Sequence, residues 1–365
     1  MVGKVDMKKV LIIQVIITEY RVPIFNELAK NVNLTVLYSE GRVPENVNFK
    51  TIYIPTKKRF GRIFFHKQNL KKLCNNFDVV ISLFNMNYFH NNTLAFGSRK
   101  YKLIYWGIGV SASLDKRYDE KKGFDFIRKA LIKKADSVVF YSSYPIQKYA
   151  KMGISIEKMF VANNTLLVKN VEFSNDKKPI KDSIVFLGTL YRQKRLDLLF
   201  EQYHAAYLEE KDIPHLYVIG GGEMFDMLNK YIEKNDLNKK ITMVGPVYSQ
   251  EELSKYFSKS LGCFSIDQAG LSVLQSMGRG VPFITFKNAI TGGEIFNIKH
   301  EVNGLLLDGV SEIKSVILDM NENPDRYLQM GIKAREYYVE NRTVKHMVQG
   351  FLDAINYVMN TEKNN

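Results

Sequence analysis

Residues 260–282 read SLGCFSIDQAGLSVLQSMGRGVP. The apolar run Leu261 to Ile266 predicts a buried strand, the polar quartet Asp267-Gln268-Ala269-Gly270 a loop turned at its glycine, and Leu271 to Met277 a short helix. The first amides of a helix lack intrahelical partners, and its dipole is positive there. A phosphate set against Gly270, Leu271 and Ser272 would therefore meet N–H groups directed at it. Every strand-loop-helix unit shares this outline, so the stretch takes its meaning from its flanks.

Working outward, Ser183–Tyr203 (SIVFLGTLYRQKRLDLLFEQY) reads as a strand, a glycine turn, and a helix whose first turn holds Arg192, Lys194 and Arg195. On the other side, Gly280–Gly309 gives a strand, the turn Thr291-Gly292-Gly293-Glu294 and an Asn-Gly turn. Further strands are expected at Ile184–Leu187, Leu216–Ile219, Ile241–Val244 and Phe283–Phe286, with helices between them. That alternation predicts a mostly parallel, doubly wound α/β sheet. Gly220-Gly221-Gly222 and Gly245-Pro246-Val247 stand at strand ends, as tight turns or as places where a nucleotide can approach the backbone. After Pro324 the chain reads as helical to about Met359.

The N-terminal half alternates in the same way, with strands at Val10–Ile17, Leu34–Tyr38, Thr51–Ile54, Asp78–Phe84, Lys102–Trp106 and Ser137–Tyr141. Val10–Ile17 is short, β-branched and followed by Thr-Glu-Tyr-Arg, so it reads as a buried first strand rather than a signal peptide. Pro23 opens a helix over Ile24–Lys30, and a charged helix is expected over Glu120–Lys134. Arg21 lies at the carboxyl end of the first strand, where open α/β sheets bind ligands. It is a candidate acceptor or phosphate contact, or else a solvated loop charge. Lys57–Leu73 (KKRFGRIFFHKQNLKKL) reads as a basic amphipathic helix, with Phe60, Ile63, Phe64, Lys67 and Leu70 at helical spacing among seven Lys or Arg. It would lie on an anionic membrane surface or pack on the sheet with its charges solvated.

At 365 residues, two domains are expected. Their predicted bounds are residues 1–175 (acceptor binding), 176–340 (donor binding) and a helical segment, 341–365, packing back toward the first domain. The polar stretch Ser174–Asp182 serves as linker. No apolar run reaches the length that crosses a bilayer. Two cysteines, Cys74 and Cys263, argue against a disulfide framework and for a reducing compartment. The net charge of +14 is unevenly spread: residues 1–175 hold 29 Lys+Arg against 13 Asp+Glu, or +16, which leaves −2 for the remainder. One half is thus expected to meet a large anionic partner. Nucleic acid is disfavoured, since no recognised motif accompanies the charge.

Ser183–Gly309 as a whole resembles the donor half of a GT-B glycosyltransferase, in particular the family 4 type (glycosyl transferases group 1). The resemblance implies two Rossmann-like doubly wound domains facing a cleft, with C-terminal helices crossing back. It also implies transfer from a UDP- or GDP-sugar to a lipid-linked or saccharide acceptor in surface polysaccharide or glycan biosynthesis, with retention and without metal or cofactor. The expected location is cytoplasmic, peripheral at the inner face of the cell membrane.

In the same resemblance, Lys194 falls at the phosphate-binding lysine. The family's arginine after Gly188 is replaced by Thr189, making Arg192 the nearest substitute. The family's Glu, seven residues, Glu pattern becomes Asp267 and Gln275. Asp keeps a carboxylate for the sugar hydroxyls, and Gln keeps an acceptor oxygen for the ribose. Catalysis is therefore assigned to Lys194, Arg192 and Asp267, and donor binding to Gly188, Gly245, Val247, Gly270, Leu271, Ser272, Gln275 and Glu294. No metal site is expected, because the chain has no Asp-x-Asp. Trp106-Gly-Ile-Gly stands where relatives carry Trp-Gly-His-Gly, so Ile108 offers no imidazole. An alternative expectation follows from these departures: a catalytically impaired scaffold that binds nucleotide sugar or a partner glycosyltransferase. A GT-B epimerase fits the charge asymmetry less well.

Overall fold

The structure is a computed structural model that describes residues 7–59, 61–112, 117–120, 123–169 and 181–361. The chain divides into two compact units: Met1–Ser111, Asp119–Leu167 and Thr343–Asn365 form the first, Ala112–Tyr118 and Val168–Arg342 the second.

The first unit runs β1 (Lys9–Ile13), α1 (Val22–Leu28), β2 (Asn33–Tyr38), β3 (Lys50–Tyr53), β4 (Thr56–Arg59), β5 (Ile63–His66), α2 (Leu70–Cys74), β6 (Val79–Leu83), α3 (Phe89–Thr93), β7 (Lys102–Gly107), α4 (Asp125–Lys134), β8 (Ser137–Phe140), α5 (Tyr144–Lys151) and β9 (Met159–Val161). Its parallel sheet is ordered β3-β2-β1-β6-β7-β8-β9. The continuous apolar run of β1 is split by the pleat. Val10 and Ile12 face Phe25 and Trp106 in one core layer, whereas Leu11 and Ile13 face Tyr105, Leu131 and Tyr149 in the other.

The second unit runs β10 (Ser183–Leu187), α6 (Leu196–Glu209), β11 (His215–Ile219), α7 (Phe225–Lys234), β12 (Ile241–Gly245), α8 (Gln250–Phe257), β13 (Ser260–Phe264), β14 (Gln268–Ala269), α9 (Ser272–Gly278), β15 (Phe283–Phe286), β16 (Ile290–Thr291), β17 (Gly304–Leu307), α10 (Ser311–Glu322) and α11 (Pro324–Asn341). Its parallel sheet is ordered β12-β11-β10-β13-β15-β17. The chain winds outward from β10 through β11 to β12, then returns with β13 on the other side of β10. Such a reversal opens a crevice outside the carboxyl ends of the two strands. The final helix, α12 (Val344–Asn360), belongs to the first unit and buries Met347, Phe351 and Ile355 in the layer that holds Val10 and Trp106. No described helix is long and apolar enough to cross a membrane.

One expected element is overturned. Lys57–Leu73 is not a helix: β4 and β5 pair antiparallel, with Thr56 opposite His66 and Arg59 opposite Ile63, and only α2 at its end is helical. Gly61 (φ 68°) takes the left-handed region that the reversal needs. Ile63, Phe64 and Phe65 satisfy helical spacing and strand propensity alike, and tertiary stacking decides between them. Phe64 stacks on Tyr88 (5.2 Å between centroids) and Phe65 on Phe89 (4.8 Å). Phe60 lies outside the described residues, as do residues 174–180 of the expected linker. The expected helix over Glu120–Lys134 begins only at Asp125, and that over Ile24–Lys30 starts earlier, at Val22.

Candidate functional site

The crevice between β10 and β13 is where the two halves of the predicted site meet. Past β10, the expected continuous helix is broken: Arg192–Lys194 form a separate 3-10 turn, and Arg195 is left-handed (φ 51°) before α6 begins. The break lets Lys194 fold back under its own loop, where it is only 7% exposed. Its Nζ rests against the Gly188 backbone, 3.4 Å from where a Cβ would stand, and 5.9 Å from the centre of the Tyr191 ring. No ion pair joins it to a carboxylate among the described residues. Burial therefore pushes the ammonium down to about 8, with the neighbouring Cys263 thiol pulling weakly the other way. A desolvated cation without a counter-ion is costly, and an anion placed beside it removes the cost. Arg192 by contrast is exposed, and its backbone N–H donates to Glu223 Oε1 (3.3 Å).

The Lys194 loop is held by the next strand end. Gly188 and Leu190 donate to Ile219 and Gly221 carbonyls (3.0 and 2.9 Å), and Met224 N–H returns to Leu190. The approach requires glycine, since a Cβ on Gly220 would stand 1.9 Å from the Gly188 carbonyl oxygen. Gly245 and Val247 stand at the end of the edge strand β12, two strands from β10, which at the usual spacing is roughly 10 Å.

On the β13 side, Asp267 is half-buried. Burial raises its carboxyl above the usual carboxylate range, while Arg117 and Arg195 pull it back. Its loop is fixed by the short β14–β16 ladder and by Ile290 N–H donating to the Asp267 carbonyl (2.9 Å). Tyr191 donates its hydroxyl to Gln268 Oε1 and so closes the gap between the two loops. Gly270 is not in the left-handed region and nothing lies within 4 Å of its missing Cβ, so the turn itself does not require glycine. The first backbone bond of the helical turn runs from Val273 to Gly270 (3.0 Å), placing the amides of Gly270, Leu271 and Ser272 ahead of the ladder.

Two polar groups on α9 have no partner. Gln275 is 5% exposed and its Oε1 is buried without a hydrogen bond, and the same holds for Ser272 Oγ. Buried acceptors are nearly always satisfied, and each exception calls for an explanation. Glu294 is also buried, but Gly292 N–H (2.9 Å) and the Thr291 hydroxyl (3.3 Å) occupy one carboxylate oxygen. Among the expected residues, Gly188, Lys194, Asp267, Gly270, Leu271, Ser272 and Gln275 thus flank one crevice, whose β13 loop is laddered to the Glu294 turn. Arg21 belongs to the other unit: the residue is 4% exposed, and its guanidinium lies 4.7 Å from the centre of the Trp106 ring and donates to Tyr141 Oη (3.2 Å). It is not a solvated charge.

The sequence assigned no role to Tyr191, Gln268 or the arginines Arg117 and Arg195 that act on Asp267. Tyr191 and Arg195 sat inside a stretch already singled out, each next to an assigned residue, Arg192 or Lys194. Arg117 follows β7, far from Asp267 along the chain, and no local pattern relates the two.

Residues 168–337 match the family described as glycosyl transferases group 1. An uncharacterised glycosyltransferase of Methanocaldococcus jannaschii is 26% identical over 315 residues, covering 80% of this chain and 77% of that protein. The poly(ribitol-phosphate) alpha-N-acetylglucosaminyltransferase of Staphylococcus aureus is 22% identical over 206 residues, or 55% of this chain and 40% of the relative. The crystal structure of Anabaena HepE in complex with UDP superposes with a TM-score of 0.72 at 12% identity, covering 96% of this chain and all of that one. The fold is GT-B, and the residues that match the group 1 family lie within the unit that carries the Lys194 crevice.

Proposed function

We propose that the protein is a glycosyltransferase of the family 4 type. It would transfer a sugar from a UDP- or GDP-sugar to a lipid-linked or saccharide acceptor in surface polysaccharide or glycan biosynthesis, at the inner face of the cell membrane. The observation that carries the reading is Lys194: a buried ammonium with no carboxylate partner among the described residues, at the crevice of the segment that matches the group 1 family, beside a helix whose Ser272 Oγ and Gln275 Oε1 are unpaired. HepE binds UDP in its crystal structure, and the S. aureus relative is an N-acetylglucosaminyltransferase, which supports a nucleotide-sugar donor.

In this reading Lys194 and the amides of Gly270–Ser272 meet the diphosphate, Gln275 Oε1 and Ser272 Oγ accept from ribose hydroxyls, and Asp267 accepts from the donor sugar. Gly245 and Val247, about 10 Å away, receive the base. As the glycosidic bond breaks, negative charge grows on the leaving diphosphate, and the Lys194 ammonium is matched to that charge. Neutralisation by Lys194 and backbone amides makes transfer independent of a divalent cation, and the resemblance to family 4 makes it retaining. The first unit, with its excess of basic residues, takes the acceptor.

A second reading rests on Ile108, Asp267 and Gln275: a scaffold that holds nucleotide sugar without transferring it. Donor-dependent release of UDP or GDP separates the two. Release that is lost in Lys194→Ala establishes transfer, whereas tight nucleotide binding with no release by the wild type makes the protein a scaffold.

A further inference from the structure

The residues from Thr56 to Lys102 include ten Lys or Arg and one acid, Asp78. In the first unit they do not stand alone. α2, α3 and α4 cover the same side of the sheet, since Leu70, Leu94, Leu131 and Ile132 share one core layer. Lys71 Nζ donates to the Phe96 carbonyl (2.7 Å) and Arg99 donates to the Lys134 carbonyl (3.3 Å), tying the three helices into one face. The β4–β5 hairpin joins it through the Phe65–Phe89 stack, with Arg59 set 5.8 Å from the Phe65 ring centre.

This face carries large apolar side chains in water. Phe126 is 77% exposed, Phe124 57%, Ile127 44% and Phe89 45%. Their exposure follows from how α4 is anchored. Asp125 is buried and pairs with Arg128 (2.9 Å) and Lys148 (2.6 Å), and Leu131 and Ile132 follow it into the core. At 100° per residue this turns Phe124, Phe126 and Ile127 outward, followed by the exposed Lys133 and Lys134. α3 and α4 each lead back from one parallel strand to the next, so their N-terminal ends, with Phe89 and Phe124–Ile127, lie at the carboxyl edge of the sheet.

We infer that this face docks on an anionic lipid surface: Phe124, Phe126, Ile127 and Phe89 enter the headgroup boundary, and the lysines and arginines of the hairpin, α2 and α4 meet acidic headgroups. Exposed aromatics flanked by Lys and Arg suit such a boundary, and the near absence of acidic residues over Thr56–Lys102 gives the charge complement. The inference rests on the proposed action on a membrane-borne acceptor and replaces the expected helix over Lys57–Leu73 by a composite face. Docking there would present the carboxyl edge of the first sheet, where Arg21 lies, to the lipid surface.

Co-sedimentation of the full chain with vesicles of phosphatidylcholine alone, or with 30% phosphatidylglycerol (about that fraction gives ample surface charge), tests this. Binding is expected only to the anionic vesicles, falling as salt is raised. Phe126→Glu with Ile127→Glu is expected to reduce it at least tenfold while UDP or GDP still raises the melting temperature of the variant as in the wild type. Lys133→Glu with Lys134→Glu, which touches no core residue, is expected to weaken it severalfold. Equal binding to both vesicle types, none to either, unchanged binding by both variants, or concentration-dependent dimerisation that the Phe126 variant abolishes would each overturn the docking face. Failure of every nucleotide to bind the wild type would instead overturn the proposed function, so the two failures are distinguishable.

Discussion

Among the described residues each unit buries one Lys or Arg, at the carboxyl edge of its sheet, and the two are treated in opposite ways. Arg21 is enclosed by Trp106, Tyr20 and Tyr141, with ring centres 4.7 to 5.4 Å away, and donates to Tyr141 Oη and Met347 Sδ. Its surroundings complete it. Lys194 has one ring at 5.9 Å, no carboxylate partner among the described residues, and an ammonium pushed down to about 8 by burial. Burial alone therefore does not mark a ligand site. What sets Lys194 apart is that the cation itself lacks a partner, with Gln275 Oε1 and Ser272 Oγ also unpaired on α9; unpaired buried polar atoms alone do not, since Trp106 Nε1 and Thr18 Oγ1 in the first unit are unpaired too.

The sharpest way to break this comparison is to remove each cation in turn. Lys194→Ala should lower donor-dependent UDP or GDP release by about 10²–10³-fold, the usual cost of losing one group matched to developing charge. The melting temperature at pH 7 should be unchanged or higher. Arg21→Ala should do the reverse, costing roughly 2–4 kcal/mol of stability through lost ring contacts and a buried void, with nucleotide binding by the second unit intact. Denaturant melts and nucleotide titrations of both variants check this, and a pair of variants with matching phenotypes would sink the distinction.

Gln275→Leu fills the same volume without a polar end. It should leave the free protein as stable or slightly more so, because no hydrogen bond is lost, and should weaken UDP or GDP about tenfold. A denaturant melt reads the first effect and calorimetric titration the second, and unchanged affinity removes Gln275 from the site.

The pH dependence carries a sign for each state. Burial holds the folded Lys194 below its unfolded value, so between about 8 and the ordinary lysine range the unfolded chain binds more protons. The stability of the free protein contributed by this group should rise with pH across that window. Nucleotide affinity should fall severalfold from pH 7 to pH 9 as the ammonium is lost, and Lys194→Met should flatten both trends. The smallest expected effect is that of EDTA, which should leave the rate unchanged; abolition by EDTA with rescue by Mn²⁺ or Mg²⁺ would contradict neutralisation by Lys194 and amides.

The fold and much of the crevice were legible because they are written locally. Leu261–Ile266, Asp267–Gly270 and Leu271–Met277 became a strand, a loop and a helix within about two residues of the expected bounds, since apolar runs, a polar loop and short-range amides all lie within one stretch. Lys57–Leu73 failed because aromatic spacing permitted helix and hairpin equally, and partners 24 residues away, Tyr88 and Phe89, decided. Arg192–Arg195 failed at higher resolution: three basic residues read as one helical turn, yet a left-handed Arg195 buries Lys194 and leaves Arg192 in solvent. The unpaired state of Gln275 Oε1 and the pull of Arg117 on Asp267 depend on packing between distant segments, and no local pattern encodes either.

The central claim is that Lys194 awaits the diphosphate of a nucleotide sugar. It is tested most directly by melting the wild type and Lys194→Met with UDP, GDP, ADP and CDP. UDP or GDP at about 100 times its dissociation constant should add about 2.7 kcal/mol to the wild type, and most of that should vanish in Lys194→Met. Equal stabilisation of both proteins, or of neither by any of the four nucleotides, would contradict the account.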